Sequence, residues 1–424
     1  MASRPEAQAS AGLAPTLSQR YSRIRARSES LCATLLPEDF VVQTMPDVSP
    51  TKWHLAHITW FFERFVVMAH QPNYTPFNKA FDYLFNSYYH TAGSMHARPR
   101  RGLLTRPSVA EVYNYRHAVN EAMLRLISQR EGDADFEFLV TLGLNHEQQH
   151  QELLLTDIKH VLSVNPLQVA MNPSLLAPPA HEAPELQFKN FDGGIQSLGV
   201  NAGSQFCFDN ETPQHRVLVE PFALANRLVT NAEYRAFIDA GAYQDPALWL
   251  SDGWTKILEG ELKGPLYWSD DNTLEFTLAG SREIDANAPV THLSYYEADA
   301  FARWSGARLP SEIEWELAAN LAPVQGNLME ANYWQPVAAK AGTGIQQLFG
   351  DVWEWTSSAY AAYPGFTPLA GSLGEYNGKF MVSQQVVRGG SCVTADDHIR
   401  ASYRSFFYPD ARWQFLGLRL AKSR

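Results

Sequence analysis

The 424-residue sequence is poor in cysteine and has no long apolar run. Its three cysteines, Cys32, Cys207 and Cys392, lie far apart, which excludes a disulfide framework and a CxxC metal-binding pair. No segment approaches the roughly 20 consecutive apolar residues that a membrane-spanning helix needs. The N-terminal stretch MASRPEAQASAGLAPT lacks the apolar centre of a secretory signal. We therefore expect a cytoplasmic protein without a membrane partner.

Runs of basic residues are also missing. The chain has 34 Lys and Arg against 45 Asp and Glu, a formal net charge of −11. Such a chain repels phosphate backbones, so nucleic acid is excluded as a partner. The 45% of apolar residues, in contrast, provide ample core material, and a chain of this length predicts two domains.

The first predicted domain, residues 16–163, consists of helices. Apolar residues recur at helical spacing in four segments, and Ser108 with Glu111 forms a capping-box pattern before the third. Four helices of this length favour an antiparallel bundle. A long connection rich in Tyr, Arg, Gly and Pro interrupts the pattern at 77–107, as functional loops often do. The predicted helices cover 18–36, 53–70, 108–130 and 135–162.

Residues 164–187 contain five prolines and little periodicity, which predicts a linker. From residue 188 to 424 the pattern changes to short strands with many Gly and Trp residues, typical of an irregular α+β domain. The complete chain is thus predicted to be α+β, with a helical bundle first. Three helices are expected in the second domain, at 230–241, 295–306 and 311–320.

Histidines provide the strongest chemical pattern. His146 and His150 are four residues apart, so both rings lie on the same face of a helix and can bind one ion. His57 lies on the apolar face of the second helix, between Trp53 and Phe61. Facing helices of a bundle often assemble metal sites in their core. Three neutral imidazoles suit Fe(II), Zn(II) or Cu(II).

The same segment, His146-Glu-Gln-Gln-His150, also satisfies the HExxH pattern of zinc proteases, with Glu147 as the general base. The extended form of that motif needs Gly and His where the chain has Leu153 and Thr156. A zinc hydrolase or thiol transferase stays an alternative. A metal-free binding protein that uses the second domain is a further alternative.

Several ordered motifs carry a resemblance to a known family. The chain has LAHITWFFE at 55–63 and HEQQHQE at 146–152. In this order it resembles the ergothioneine-type sulfoxide synthases, iron enzymes with a DinB-like bundle and a domain similar to the formylglycine-generating enzyme. The C-terminal motifs are FDGGIQSLGV (191–200), ARLPSEIEWELAA (307–319), FGDVWEWTSS (349–358), VVRGGS (386–391) and FLGLRLA (415–421).

The resemblance implies iron ligands at His57, His146 and His150. It implies that hercynine, the betaine of histidine, binds Fe(II) through its imidazole beside a thiolate and O₂, and that a carbon–sulfur bond and a sulfoxide form in ergothioneine biosynthesis. The activity of the formylglycine enzyme is not implied, because it needs a cysteine pair where this chain has only Cys392. The second domain is expected to form a wall of the substrate pocket.

Further site residues follow from the same resemblance. Gln149 matches the glutamine that hydrogen-bonds the substrate imidazole. Tyr88 and Tyr89 match a tyrosine pair at the iron site of cysteine-using members, where one donates a proton. Arg98 matches the arginine that holds the carboxylate of the thiol substrate, which suits a bidentate guanidinium.

A quaternary ammonium is recognised by aromatic faces, and the segment SFFYPDARWQF provides several. The expected substrate-binding residues of this segment are Ser405, Phe406, Phe407 and Trp413. Phe407 stands where members that use γ-glutamylcysteine carry Asp, which favours cysteine as the donor.

Two positions depart from the family pattern, Ser405 in place of Asn and His90 in place of an acidic residue. They leave open a second donor, since the related selenoneine synthase couples hercynine to a selenosugar. The sequence leaves the oligomeric state undetermined.

Overall fold

The computed structural model describes residues 15–203 and 205–424. Residues 1–14, on which the prediction about a secretory signal rests, lie outside this part. Among the described residues, no helix combines the length and the apolarity required to cross a bilayer.

The N-terminal half is a helical bundle, as predicted. Its helices in the described residues are α1 (Leu17–Leu31), α2 (Thr51–Phe62), α3 (Phe81–Phe85), α4 (Val109–Gln129) and α5 (Ala134–Ser163). Helix α2 continues beyond Phe62 through a π-helical turn and a last α-helical turn to His70. It packs against α4 and α5, while α1 packs against α5.

Local sequence explains most helix ends. Ser108 and Glu111 form the predicted capping box of α4, and the Asp133 side chain caps α5 by accepting from the backbone N–H of Phe136. Helix α1 was predicted to reach residue 36 but ends at Leu31. Its last carbonyls accept from the backbone of residues 32 and 33, which form turns before Pro37. The periodicity there continued into residues that do not form a helix.

The C-terminal half is an irregular α+β unit. One sheet has the order β1-β4-β11, a second has the order β10-β7-β8-β9, and β2-β3 and β5-β6 are hairpins. The β10-β7 pair is parallel and the other pairs are antiparallel. The strands are β1 (Phe188–Phe191), β2 (Gly194–Leu198), β3 (His215–Val219), β4 (Phe222–Ala225), β5 (Leu274–Thr277), β6 (Gly280–Glu283), β7 (Trp353–Ala359), β8 (Gln385–Arg388), β9 (Ser405–Phe407), β10 (Leu416–Gly417) and β11 (Ala421–Ser423).

All three helices predicted in this half are present, each with a Ser or Thr cap and a Glu three residues later. They are α6 (Asn231–Asp239), α8 (Tyr295–Trp304) and α9 (Glu312–Ala319). Helix α7 (Ser251–Leu258) was not predicted; its first residue follows Leu250, which makes no side-chain capping bond. The segment between α5 and β1 contains no helix or strand in the described structure, and its role as a linker stays a prediction.

The C-terminal motifs are paired through buried charges. Arg419 of FLGLRLA donates to Glu354 of FGDVWEWTSS at 2.8 Å, and both side chains are fully buried. Arg388 of VVRGGS pairs with Glu316 of the motif in α9. A buried ion pair requires an exact partner, since removing one member leaves the other charge unpaired in the interior. These residues therefore fix how the short strands are arranged.

The two halves meet along α5. The carboxylate of Glu152 accepts hydrogen bonds from Trp353 Nε1 at 2.7 Å, Ser391 Oγ at 2.6 Å and Thr394 Oγ1 at 2.7 Å. All three donors belong to the C-terminal half. Because Glu152 is two residues beyond His150, this contact places the C-terminal unit directly against the histidine-bearing part of α5.

Candidate metal centre

Three histidines converge between α2 and α5. His57 on α2 and His146 and His150 on α5 each offer a ring nitrogen, and these nitrogens lie within 4.8 Å of one another. Their rings are 0%, 1% and 8% exposed. Within residues 15–203 and 205–424, this is the one group of three or more His, Cys, Asp or Glu residues with such geometry. The convergence predicted from helical spacing is thus present.

Hydrogen bonds at the outer nitrogens orient two of the rings. His57 Nδ1 lies 2.6 Å from the carbonyl oxygen of Phe85 and must donate to it. His54 Nε2 donates to Asp157 Oδ2 at 3.0 Å, so its Nδ1 accepts from His150 Nδ1 at 2.9 Å. In both cases the Nε2 atom of the converging ring carries a lone pair, which is the form that binds a metal.

His146 completes a site that suits a cation. Its Nε2 is 3.3 Å from His57 Nε2, and its buried Nδ1 has no hydrogen-bond partner among the residues that the structure describes. Burial lowers the pKa of His146 to about 3 and lowers the pKa values of His57 and His150 well below the usual value. Three neutral imidazoles that converge in this way can each turn a nitrogen lone pair toward one shared metal ion. The residues therefore fit the metal that the sequence predicted.

Asp157 is the outer residue that should matter most for metal affinity. It holds His54, accepts the backbone N–H of Ser49 at 2.7 Å and accepts Trp413 Nε1 at 3.0 Å. We expect Asp157→Asn to weaken metal binding about tenfold, because outer partners orient the ligand and raise its basicity. Competition with a chromophoric chelator measures this. Asp135→Asn, at the exposed start of α5, is the control, and equal affinity of both variants would contradict the role of Asp157.

Glu147 is not available as a general base. It is fully buried, and its carboxylate is bound by Arg25 at 2.9 Å, Arg116 at 3.2 Å and the Ser28 hydroxyl at 2.6 Å. These partners belong to α1 and α4. The zinc hydrolase mechanism based on Glu147 is therefore wrong, because this side chain is an internal ion pair of the bundle.

Gln149 links the histidine helix to the C-terminal half. Its side-chain Nε2 donates to the hydroxyl of Tyr403 at 2.5 Å, and its Oε1 accepts from Tyr376. The Tyr376 ring lies 5.5 Å from the His146 ring. The sequence did not indicate Tyr376 or Tyr403, because nothing in their surroundings distinguishes them from the other tyrosines of the chain.

The predicted tyrosine pair lies on the same side. The hydroxyls of Tyr88 and Tyr89 are 3.5 Å apart. The Tyr88 ring is 6.1 Å from that of Tyr376, and Tyr89 packs against Trp60. Burial raises the pKa values of Tyr88, Tyr89 and Tyr376, so all three phenols keep their protons at neutral pH.

Two arginines of the long connection have different environments. Arg98 is exposed and donates to the backbone carbonyl of Asp47. Arg101 is 3% exposed, and its guanidinium lies 3.3 Å from the ring centre of Trp53, which itself stacks on His57 at 4.6 Å. The family resemblance indicated Arg98, and only the structure shows that Arg101 is the buried one of the two.

Arg101 is a buried cation held by neutral groups. Its NH groups donate to the hydroxyls of Ser49 at 2.9 Å and Ser87 at 3.0 Å, and its Nε has no partner in the described structure. Burial, reinforced by the nearby charge of Arg98, holds its pKa well below the usual value. A guanidinium in this state is suited to receive a carboxylate.

The remaining predicted residues, Phe406, Phe407 and Trp413, pack against other aromatic side chains. Phe406 stacks on Tyr360 at 3.9 Å and faces Phe380, which contacts Tyr88. Phe407 contacts Trp413 edge to face at 6.3 Å.

The two positions that depart from the family pattern are also placed. Ser405 pairs with Val387 in the sheet. The backbone N–H of His90 donates to Glu375 at 3.0 Å. The roles of Ser405, Phe406, Phe407 and Trp413 in substrate binding stay predictions.

Comparison with known proteins agrees with this architecture. Residues 20–154 match the model of the DinB superfamily, and residues 185–424 match that of the sulfatase-modifying factor enzyme 1-like domain. The chain is 33% identical over 403 residues to hercynine oxygenase of Mycolicibacterium thermoresistibile, covering 89% of this chain and 88% of the relative. It is 31% identical over 432 residues to hercynine oxygenase of Mycobacterium tuberculosis, covering 96% and 98%.

A second group of relatives matches only about half of the chain. The formylglycine-generating enzyme of Streptomyces coelicolor is 29% identical over 278 residues, which cover 54% of this chain and 87% of that enzyme. The hercynine oxygenases, in contrast, share both halves with this chain. The chain is therefore an oxidoreductase of the hercynine oxygenase family, the ergothioneine-type sulfoxide synthases that join a DinB-like bundle to a formylglycine-generating-enzyme-like domain.

Proposed function

We propose that this protein is an Fe(II)- and O₂-dependent synthase that joins the sulfur of cysteine to the imidazole of hercynine and yields a sulfoxide. The observation that carries the proposal is the convergence of three buried, neutral imidazoles at the junction of the two halves. Relatives named hercynine oxygenase that span nearly the whole chain support hercynine as the substrate.

His57, His146 and His150 would hold the metal. Three imidazole ligands leave open coordination positions and suit Fe(II) among other ions. Bound iron would supply the oxidising chemistry and bring the reactants together. An O₂-dependent reaction favours iron over zinc, which is not redox-active.

The other residues bind substrates and hold protons. Gln149 is placed to contact a ring bound beside His146, since its amide is already oriented by Tyr376 and Tyr403. Tyr88, Tyr89 and Tyr376 keep protons on their phenol oxygens and so act as proton donors next to the site. Arg101 is the buried cation suited to the carboxylate of cysteine. Tyr89, Tyr376 and Arg101 are buried, and Gln149 and Tyr88 are half-buried, so little water competes for these contacts.

Cysteine is the proposed donor because Phe407 replaces the acidic residue associated with γ-glutamylcysteine. The relatives named hercynine oxygenase do not favour the selenosugar donor. A series of incubations tests the proposal: Fe(II)-loaded protein, hercynine and air with cysteine, γ-glutamylcysteine or a selenosugar, followed by mass spectrometry. A hercynine–cysteine sulfoxide is expected. Turnover with zinc alone, or without oxygen, would overturn the proposal.

The two arginines provide a test of donor binding. Arg101→Met is expected to raise the KM for cysteine about 30- to 150-fold, since a charged hydrogen-bonded contact contributes roughly 2–3 kcal/mol. The affinity for hercynine should stay within about twofold. Arg98→Met distinguishes the position that the resemblance indicates, and the exposed Arg100→Met is the matched control. A cysteine KM that changes only in Arg98→Met would assign the carboxylate to Arg98 instead.

A further inference from the structure

A chain of hydrogen bonds joins His398 in the C-terminal half to Tyr376, whose ring lies 5.5 Å from the ring of His146. His398 Nδ1 is 2.9 Å from Asn145 Oδ1, and His398 Nε2 is 3.0 Å from the hydroxyl of Tyr403. Tyr403 contacts Gln149, and Gln149 contacts Tyr376. Gln149 and Asn145 belong to α5, and the other three residues lie more than 200 positions later in the sequence. Only the tertiary structure brings them together.

At the Asn145 end, a backbone carbonyl determines which group of each hydrogen-bonded pair is the donor. Asn145 Nδ2 lies 2.9 Å from the carbonyl oxygen of Thr141, which can only accept. The amide of Asn145 must therefore turn its Oδ1 toward His398. It follows that His398 carries its proton on Nδ1 and donates it to Asn145.

Because His398 is neutral, its donor bond to Asn145 determines that its other nitrogen is an acceptor. The ring is 1% exposed, and burial, reinforced by the charge of Arg400, lowers its pKa to about 3. With the proton on Nδ1, the Nε2 atom has only a lone pair and accepts from the Tyr403 hydroxyl. The single proton of Tyr403 is thereby used, so its oxygen can only accept from Gln149.

Gln149 is consequently held in one of its two amide orientations. Its NH₂ group faces Tyr403, and its carbonyl oxygen faces Tyr376, whose ring lies 5.5 Å from the ring of His146. The reversed orientation would place the Gln149 carbonyl against a phenol oxygen that has no proton to give. A carbonyl oxygen has two lone pairs, so Oε1 can accept from a substrate group in addition to Tyr376.

We propose that His398 is a positioning residue which, through Tyr403, fixes the Gln149 carbonyl toward the substrate and makes the site select a ring that presents an N–H. The inference rests on the proposed function and specifies how the imidazole is recognised. An imidazole with one nitrogen directed to the metal carries hydrogen on the other, which complements this acceptor. A site built around a buried acceptor rejects an analogue that lacks the matching donor.

Equilibrium binding tests the proposal apart from turnover. Isothermal titration calorimetry on the full-length protein, metal-free and Fe(II)-loaded under nitrogen, compares hercynine with its thiazole analogue, which lacks the N–H. We expect the wild type to prefer hercynine by about 10- to 50-fold. His398→Phe removes the acceptor of Tyr403 and frees Gln149 to reverse, so the preference should fall below about threefold.

Two further variants separate positioning from packing. His398→Gln can donate to Asn145 and accept from Tyr403, so it should keep the preference. Tyr403→Phe removes only the hydroxyl that connects His398 to Gln149 and should lose it. Tyr234→Phe is the control. It removes a similarly buried hydroxyl, which is hydrogen-bonded to Tyr243 at 2.9 Å and is not part of the hydrogen bonds between His398 and Tyr376.

The outcomes are distinct. A full preference in His398→Phe and Tyr403→Phe would overturn the inference, and so would an equal loss in His398→Gln. Absence of hercynine binding by the wild type would overturn the proposed function, and the inference with it. Metal content and thermal melting, measured for every variant, identify changes that come from misfolding.

Discussion

Replacing His146 with glutamine is expected to remove metal binding almost completely. His146 contributes a nitrogen 3.3 Å from His57 Nε2, and its own Nδ1 has no alternative partner in the described interior. Loss of one of three ligands should lower affinity by more than about 100-fold, since changes at residues that only support a ligand already lower it 10- to 100-fold. Elemental analysis after loading with excess Fe(II) and gel filtration measures the bound metal.

A matched variant makes this result specific. His117 is also a helical histidine, but its side chain is 59% exposed and lies 3.6 Å from Glu29. His117→Gln should therefore bind metal like the wild type. Near-stoichiometric iron in a correctly folded His146→Gln protein would exclude the three-histidine centre. Equal loss in both variants would indicate a general effect on folding.

Replacing Glu147 with glutamine is expected to destabilise the protein by about 3–5 kcal/mol. This is the usual cost of removing one partner from a buried ion pair, because the remaining charge stays unpaired in the interior. Burial acts to raise the pKa of Glu147, but the guanidinium groups of Arg25 and Arg116 hold it below its usual value. The carboxylate is thus charged and paired in the folded protein. Urea unfolding followed by circular dichroism measures the change.

The same variant separates two enzyme classes. If Glu147 is structural, folded Glu147→Gln protein should retain its iron and most of its turnover. A hydrolase that uses this carboxylate as its base would lose turnover with its fold and metal intact. Glu29→Gln is the control, because Glu29 contacts Arg116 at 3.3 Å but is 29% exposed, and such pairs contribute at most about 1 kcal/mol.

Local patterns predicted much of the fold. The capping box of Ser108 and Glu111 gave the start of α4, and the spacing of His146 and His150 placed both rings on one face. These features depend on contacts within one helical turn, so the sequence contains them directly. The ordered motifs indicated both domains and the family. The predicted end of α1 was wrong, because over a few residues the spacing of apolar side chains in short turns resembles that in a helix.

Contacts between side chains that are far apart in the sequence could not be predicted from local patterns. HEQQH is compatible with a general base, and only the guanidinium groups from α1 and α4 show that Glu147 faces away from the metal site. Arg98 and Arg101 look alike in the sequence. Their burial differs because Ser49, Trp53 and Ser87 surround only Arg101.

By itself, the sequence determined the helix faces, the three candidate ligands and the family, since each follows from spacing within an element or from motif order. The tertiary structure decided which nitrogen of His57 and of His150 is free, which arginine is buried and which way the Gln149 amide points. Those properties depend on hydrogen bonds to the Phe85 carbonyl, to Asp157 and to the His398–Tyr403 pair. Which group donates in a hydrogen bond depends on the partner that folding brings next to it. Residue spacing along the chain does not identify that partner.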